Sequence, residues 1–205
     1  MDILVIGGGG REHAIIRKIK ESPLCGKVYC APGNGGIAAD AECIPSVKAT
    51  DVEGAVRLAQ EKKVGFVIVA PDDPLVLGMV DALEAAGIPA FGPRKNAAIL
   101  EGSKAFAKDL MKKYGIPTAA YEIFTDAEAA IAYVRAQNAY PTVIKADGLA
   151  LGKGVIIAQS EQEAVTAIRD MLEGGRFGDS GRRIVVEQFL SGPEVSVLAL
   201  TDGEV

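Results

Sequence analysis

Asp2-Ile3-Leu4-Val5-Ile6-Gly7-Gly8-Gly9-Gly10-Arg11-Glu12-His13-Ala14-Ile15-Ile16-Arg17-Lys18-Ile19-Lys20 opens the chain, and its reading decides the fold class. A short apolar run meets four glycines at 7–10. A helical pattern follows, with Ala14, Ile15, Ile16 and Ile19 on one face and Arg17, Lys18 and Lys20 on the other. Working outward, the same alternation repeats. Lys27 to Ala31 reads as a strand closed by Pro32-Gly33-Asn34-Gly35-Gly36. Asp51 is the predicted N-cap of a helix to about Lys62, with Val52, Val56 and Ala59 on one face. Val64 to Ala70 is nearly all apolar, as a strand covered on both sides must be. A helix over about 74–86 and a strand over 88–91 complete the unit. Such alternation predicts a doubly wound α/β domain with a parallel sheet, ending near Glu101.

Beyond Gly102 the pattern changes. Ser103 is the predicted cap of a helix from Lys104 to about Tyr114, which stops at Gly115-Ile116-Pro117. Thr125-Asp126-Ala127-Glu128 and Ser160-Glu161-Gln162-Glu163 fit capping boxes before helices to about Gln137 and Leu172. Strands are predicted over 142–146, 155–158 and 183–190, and Glu194 to Leu200 starts one more. The whole reads as a small α+β module with hairpin-like strand pairs. Its end in mid-hairpin, at Val205, suggests a truncated product.

The bulk numbers narrow the function classes. A chain of 205 residues with 49% hydrophobic content has material for one large domain or two small ones. A net charge of −5 argues against a nucleic-acid partner, which needs a concentrated excess of Lys and Arg. No apolar stretch is long enough to span a bilayer, and no secretory signal opens the chain, so it reads as cytoplasmic. Three cysteines without a CxxC spacing read as reduced core thiols. With His13 as the only histidine, zinc hydrolases and Ser–His–Asp triads have little to be built from.

Two glycine loops carry the candidate chemistry. The first fails the dinucleotide fingerprint: from Gly7 and Gly9 the third glycine falls on Glu12, and from Gly8 and Gly10 it falls on His13. Four glycines exceed what a tight turn needs, and Arg11 sits where the helix dipole disfavours a cation. A phosphate docked at this helix start would offset that cost; a plain turn is the alternative. The second loop, Gly148-Leu149-Ala150-Leu151-Gly152-Lys153-Gly154, lacks Walker A spacing and joins two strands like a flap. Lys145 lies on the strand before it, among apolar neighbours, and needs an anionic partner or an exit to solvent. Beside the flap, phosphate contact is favoured over an exposed strand face.

Lys145 to Ala150 with Gly152-Lys153-Gly154-Val155 resembles the phosphate flap of the ATP-grasp superfamily. Gly9-Gly10-Arg11-Glu12-His13-Ala14, Ala31-Pro32-Gly33-Asn34, Glu101-Gly102-Ser103-Lys104 and Val186 to Leu190 with Gly192-Pro193-Glu194 narrow the resemblance to the glycinamide ribonucleotide synthetase family. The matches span the chain in order. The resemblance implies an ATP-dependent ligase of purine biosynthesis that joins glycine to phosphoribosylamine through a glycyl phosphate. Other ATP-grasp carboxylases or formyltransferases, or a stand-alone nucleotide-binding module, are the alternatives.

It further implies a division into an N-terminal domain (1–102), a connecting helix (103–121), an ATP-grasp lid (122–192) and the start of the remaining central domain (193–205). Lys104 and Lys145 are the implied catalytic contacts to ATP phosphates, under a loop including Gly148, Gly152, Lys153 and Gly154. Glu187, Gln188, Phe189 and Leu190 are the implied adenine hinge, and Glu194 the ribose ligand, which otherwise reads as a surface carboxylate. Gly8, Gly9, Gly10, Arg11, Asn34 and Asp72 are the implied substrate contacts. Asp72 replaces the family's usual Glu, and a helix cap is its alternative role. The family's Mg²⁺ or Mn²⁺ ligands fall outside this chain, and the whole enzyme is expected to be a monomer. The fragment alone is expected to be inactive.

Overall fold

The computed structural model describes residues 1–149, 154–175 and 178–199. The first sheet is parallel, in the order β3-β2-β1-β4-β5. Its strands are β1 (Ile3–Gly7), β2 (Val28–Pro32), β3 (Glu42–Cys43), β4 (Phe66–Val69) and β5 (Ala90–Phe91). Helices α1 (Gly10–Ile19), α2 (Val52–Glu61), α3 (Asp72–Leu77), α4 (Met79–Ala85) and α5 (Lys95–Gly102) connect and follow them. Alternation along β1 explains the two layers. Leu4 and Ile6 pack with Ala55, Leu58, Met79 and Leu83 on one face, while Ile3 and Val5 pack with Ile16 on the other. Burying each such aliphatic side chain contributes roughly 1.5–3 kcal/mol.

The parallel order reverses direction at β1, between β2 and β4. The loops after β1 and β4 leave the sheet in opposite directions there and open a crevice at the strands' carboxyl ends. That crevice is bounded by Gly8–Gly10 on one side and by Pro71-Asp72 on the other.

Several local expectations are corrected. The helix expected over 74–86 is two helices, because Gly78 takes a left-handed conformation (φ 93°) that ends α3 and starts α4. Ala14 is exposed and Glu12 buried, so the inner face of α1 is narrower than expected. Strand β3 is a two-residue addition with no sequence signal of its own. Of the cysteines, Cys30 is buried while Cys25 and Cys43 are half-buried, and all three are free.

The second sheet is antiparallel, in the order β6-β9-β7-β8. Its strands are β6 (Tyr121–Phe124), β7 (Thr142–Ala146), β8 (Val155–Ala158) and β9 (Ile184–Gln188). Helices α7 (Ala127–Gln137) and α8 (Glu161–Leu172) cover one face through Ala130, Ile131, Ile168 and Met171, which meet Ile144, Ile184 and Val186. Helix α6 (Lys104–Tyr114) precedes β6, with Ser103 as its N-cap and left-handed Gly115 as its C-cap.

Capping at α7 falls on Asp126, not Thr125: its carboxylate accepts from the Ala129 N–H and places negative charge at the helix start. At α8, Ser160 accepts from Glu163 N–H as expected, but the Glu163 carboxylate reaches Gln159 N–H, one residue before the cap. The strand expected from Glu194 does not form over 194–199: no described strand pairs with this segment, and Val195, Val197 and Leu198 are exposed. An apolar alternation needs an edge to pair with before it becomes a strand.

Candidate functional site

The first glycine loop is ordered from within. Glu12, 3% exposed, turns its carboxylate back to accept the Gly9 N–H at 2.6 Å and the Arg11 Nε–H at 3.2 Å. Glu12 thus offsets part of the cost of Arg11 from within the chain. Gly7 must be glycine here: at φ 127° an added Cβ would collide with the Glu12 side chain. Asn34 closes the loop from the far side, its amide donating to the Gly8 carbonyl at 2.8 Å and its Oδ1 accepting from Ile37 N–H. The structure thus brings Gly8, Gly9, Gly10, Arg11 and Asn34 together, with Gly9, Gly10 and Arg11 left exposed at the rim. His13 Nε2 donates to the Asp40 carboxylate at 2.9 Å, and the ring faces Gly36.

Asp72 stands across the crevice as the first residue of α3, half-buried. It is not the N-cap, a place taken by Pro71, and its charge favours the helix start.

The second site is built around β7. Register places Val143 and Lys145 of β7 opposite Ile157 and Val155 of β8, and opposite Glu187 and Val185 of β9. These six residues share the sheet face turned away from α7 and α8. Val155 and Ile157 are 44% and 47% exposed, an apolar floor beside the lysine. Lys145 Nζ lies 3.0 Å from Glu187 Oε2, and Lys108 Nζ, from α6, lies 2.9 Å from the same oxygen. Glu187 itself is 6% exposed.

Where β7 runs into the flap, Asp147 ties three segments together: its own, the start of α6 and the approach to β9. Its buried carboxylate accepts from Ser103 Oγ at 3.0 Å, from Ala105 N–H at 2.7 Å and from Arg183 Nε at 2.8 Å. The backbone answers in kind, Lys104 N–H donating to the Asp147 carbonyl. Lys104 Nζ then donates to the Gly148 carbonyl at 3.0 Å. Lys104 and Gly148 are therefore held together at the base of the flap, while Lys145, on the strand before it, is tied to Glu187. Gly154, which rejoins the strand, accepts from Ala146 N–H with its carbonyl. Gly152 and Lys153 lie outside the described residues.

At the far end of β9, Gln188 N–H donates to the Ala120 carbonyl at 2.8 Å, and Gln188, Phe189 and Leu190 are exposed. A cavity of about 390 Å³ opens beside them, lined by Tyr133, Gln137, Tyr140, Thr142, Gln188 and Phe189. Glu194 is exposed in the segment that forms no strand.

Sequence reasoning missed Lys108, Asp147 and Arg183. A lysine on an amphipathic helix reads as solvated, and Asp147 reads as the first residue of a glycine loop; only the fold aims them inward. Chemically, a surplus of ammonium beside an apolar floor suits an anionic group carried on a flat apolar body. Among the described residues, no cluster of three or more His, Cys, Asp or Glu could hold a metal ion. No described helix is long and apolar enough to cross a membrane.

Residues 1–101 match the phosphoribosylglycinamide synthetase N domain, and residues 102–205 match the phosphoribosylglycinamide synthetase ATP-grasp (A) domain. A phosphoribosylamine–glycine ligase from Yersinia pestis is 55% identical over all 205 residues, which cover 48% of that protein. The chain thus spans about half the length of the curated relatives it matches. The crystal structure of a phosphoribosylamine–glycine ligase from Thermotoga maritima superposes with a TM-score of 0.76 at 30% identity, over 94% of this chain and 45% of that one. The biotin carboxylase domain of a Hydrogenobacter thermophilus 2-oxoglutarate carboxylase, solved with ADP, its magnesium salt and bicarbonate, gives 0.73 at 23% identity. It covers 92% of this chain and 44% of that one, a likeness of fold.

Proposed function

The chain belongs to the phosphoribosylglycinamide synthetase family, and from that premise we propose that it carries the flap and crevice of an ATP-dependent ligase joining glycine to 5-phosphoribosylamine. In this reading a glycine carboxylate oxygen attacks the γ-phosphorus of ATP and ADP leaves. The phosphoribosylamine nitrogen then attacks the acyl carbon of glycyl phosphate, and phosphate leaves with the bonding pair. The chain's part is placement and charge neutralisation. Lys104 and Lys145 neutralise phosphate oxygens, and the flap from Gly148 to Gly154 excludes water. Backbone groups of residues 187–190 read adenine, and Glu194 reads the ribose. Gly8–Arg11, Asn34 and Asp72 receive the sugar phosphate across the switch-point crevice.

The observation that carries this reading is Lys104 Nζ held 3.0 Å from the Gly148 carbonyl at the base of the flap, with Lys145, three residues earlier on β7, beside Glu187. In the same proposal residues 1–102 form the substrate domain, 103–121 a connector, 122–192 a lid, and 193–205 the start of the remaining central domain. Mg²⁺ or Mn²⁺ is assigned to residues outside this chain, since among the described residues no group of three or more His, Cys, Asp or Glu could hold a metal ion. The protein is assigned to the cytoplasm, as a monomer without nucleic-acid partners.

The test is phosphate release by the full-length protein. Release that requires both glycine and phosphoribosylamine, and that falls roughly tenfold or more in Lys145→Met, supports the assignment. Release driven by bicarbonate or formate instead overturns it.

A further inference from the structure

Helix α6 carries a lysine that this reaction leaves without a task. Lys108 is 8% exposed, yet its ammonium ends on the one carboxylate oxygen already held by Lys145. It also donates to Thr118 Oγ1 at 2.7 Å and lies 5.6 Å from the centre of the Tyr121 ring. One ammonium is enough to neutralise Glu187. A second adds desolvation cost and like-charge repulsion, and Glu187 Oε1 meanwhile is buried with no hydrogen-bond partner among the described residues. Two cations on one oxygen leave the cluster with a net charge of about +1, which is favourable only where an anion comes to meet it. The side chains of Lys108 and Lys145 are 10% and 27% exposed, so the surplus charge faces outward through Lys145.

We propose that Lys108 is a positioning residue: by sharing Glu187 Oε2 it keeps the carboxylate from sequestering Lys145, whose ammonium is thereby free to turn to phosphate. The proposal rests on the ATP-dependent reading above. Without Lys108, Lys145 and Glu187 form a closed neutral pair, and the site has no net attraction for an anion.

The experiment is calorimetric titration of the full-length protein with ATP and, separately, with adenosine, which lacks the phosphates. Lys108→Met is expected to weaken ATP binding roughly tenfold or more and to leave adenosine binding unchanged. Lys108→Arg keeps the charge and should keep ATP affinity. The double variant Lys108→Met/Glu187→Gln returns the cluster to a charge of about +1 and should regain most of the lost ATP affinity. Equal losses for both ligands, no loss for either, or no recovery in the double variant overturns the proposal. If Lys108→Met does not fold, Lys108→Gln against Lys108→Arg makes the same comparison. A wild-type protein that binds ATP no better than adenosine sinks the ligase reading itself, and this inference with it.

Discussion

Replacing Asp147 tests whether the base of the flap is held by its carboxylate. The side chain is 7% exposed and accepts from Ser103 Oγ, Ala105 N–H and Arg183 Nε. Hydrogen bonds to a charged group contribute about 1.5–3 kcal/mol each when both partners are buried. Two of the three meet that condition, those from Ser103 and Ala105. Arg183, whose side chain is 46% exposed, adds only about 0–1 kcal/mol after solvent screening. Because the three share one acceptor group, their losses overlap. Asp147→Ala is therefore expected to cost about 3–4 kcal/mol. Asp147→Asn keeps the shape and one acceptor oxygen and should cost about half as much.

The assay is urea unfolding followed by far-UV circular dichroism, paired with amide exchange at Ala105 and Phe106, the N–H groups at the start of α6. Their protection should fall together with global stability in Asp147→Ala. Ser103→Ala removes both the cap of α6 and a donor to Asp147, so the two changes should couple by about 1 kcal/mol in a double-mutant cycle. An Asp147→Ala cost below about 1 kcal/mol, or unchanged protection at Ala105, would refute the reasoning.

Other consequences can be checked on the N-terminal sheet. A Cβ at Gly8 would stand 2.8 Å from the Gly33 carbonyl oxygen, whereas one at Gly10 meets nothing within 4 Å. Gly8→Ala should lower stability by about 1–3 kcal/mol, while Gly10→Ala should raise it by up to about 1 kcal/mol; equal urea midpoints would contradict this. Glu42 is held down to about 2 from an ordinary 4.5, first by hydrogen bonding to Lys27 and then by Lys62. A depressed carboxylate contributes stability above its unfolded pKa and loses it as pH falls through the folded one. Thermal midpoints should drop between pH 4.5 and about 2, and Glu42→Gln should flatten that drop. Parallel curves for the two proteins would show that the Lys27 and Lys62 contacts do not act in solution.

What the chain makes legible is local. The opening strand, glycine turn and helix are visible because a short apolar run, four glycines and a 3.6-residue period follow one another within nineteen residues. Ser103 and Ser160 are legible as caps because their partners lie three residues on. What depends on distant partners is not. Strand β6 carries no strong pattern and exists because Tyr121 to Phe124 pair with Glu187 to Ile184. The stretch from Glu194 has the pattern of a strand but no described partner. Within the candidate site, Lys104 and Lys145 are found from motif and context, whereas Lys108 and Asp147 become visible only once α6 is laid against β9 and the flap base.

The pairing of β6 with β9 also sets a timetable for synthesis. Every strand of the parallel sheet has been made by residue 91, so that sheet can close while the ribosome is still working on the second one. Strand β6 must wait until residues 184–188 appear, and Asp147 must wait for Arg183. For some sixty residues of elongation, α6 and β6 are present without the partner that covers them. A nascent chain stalled in that interval would display a finished α/β layer beside an open, sticky edge, the stage at which a chaperone has most to do.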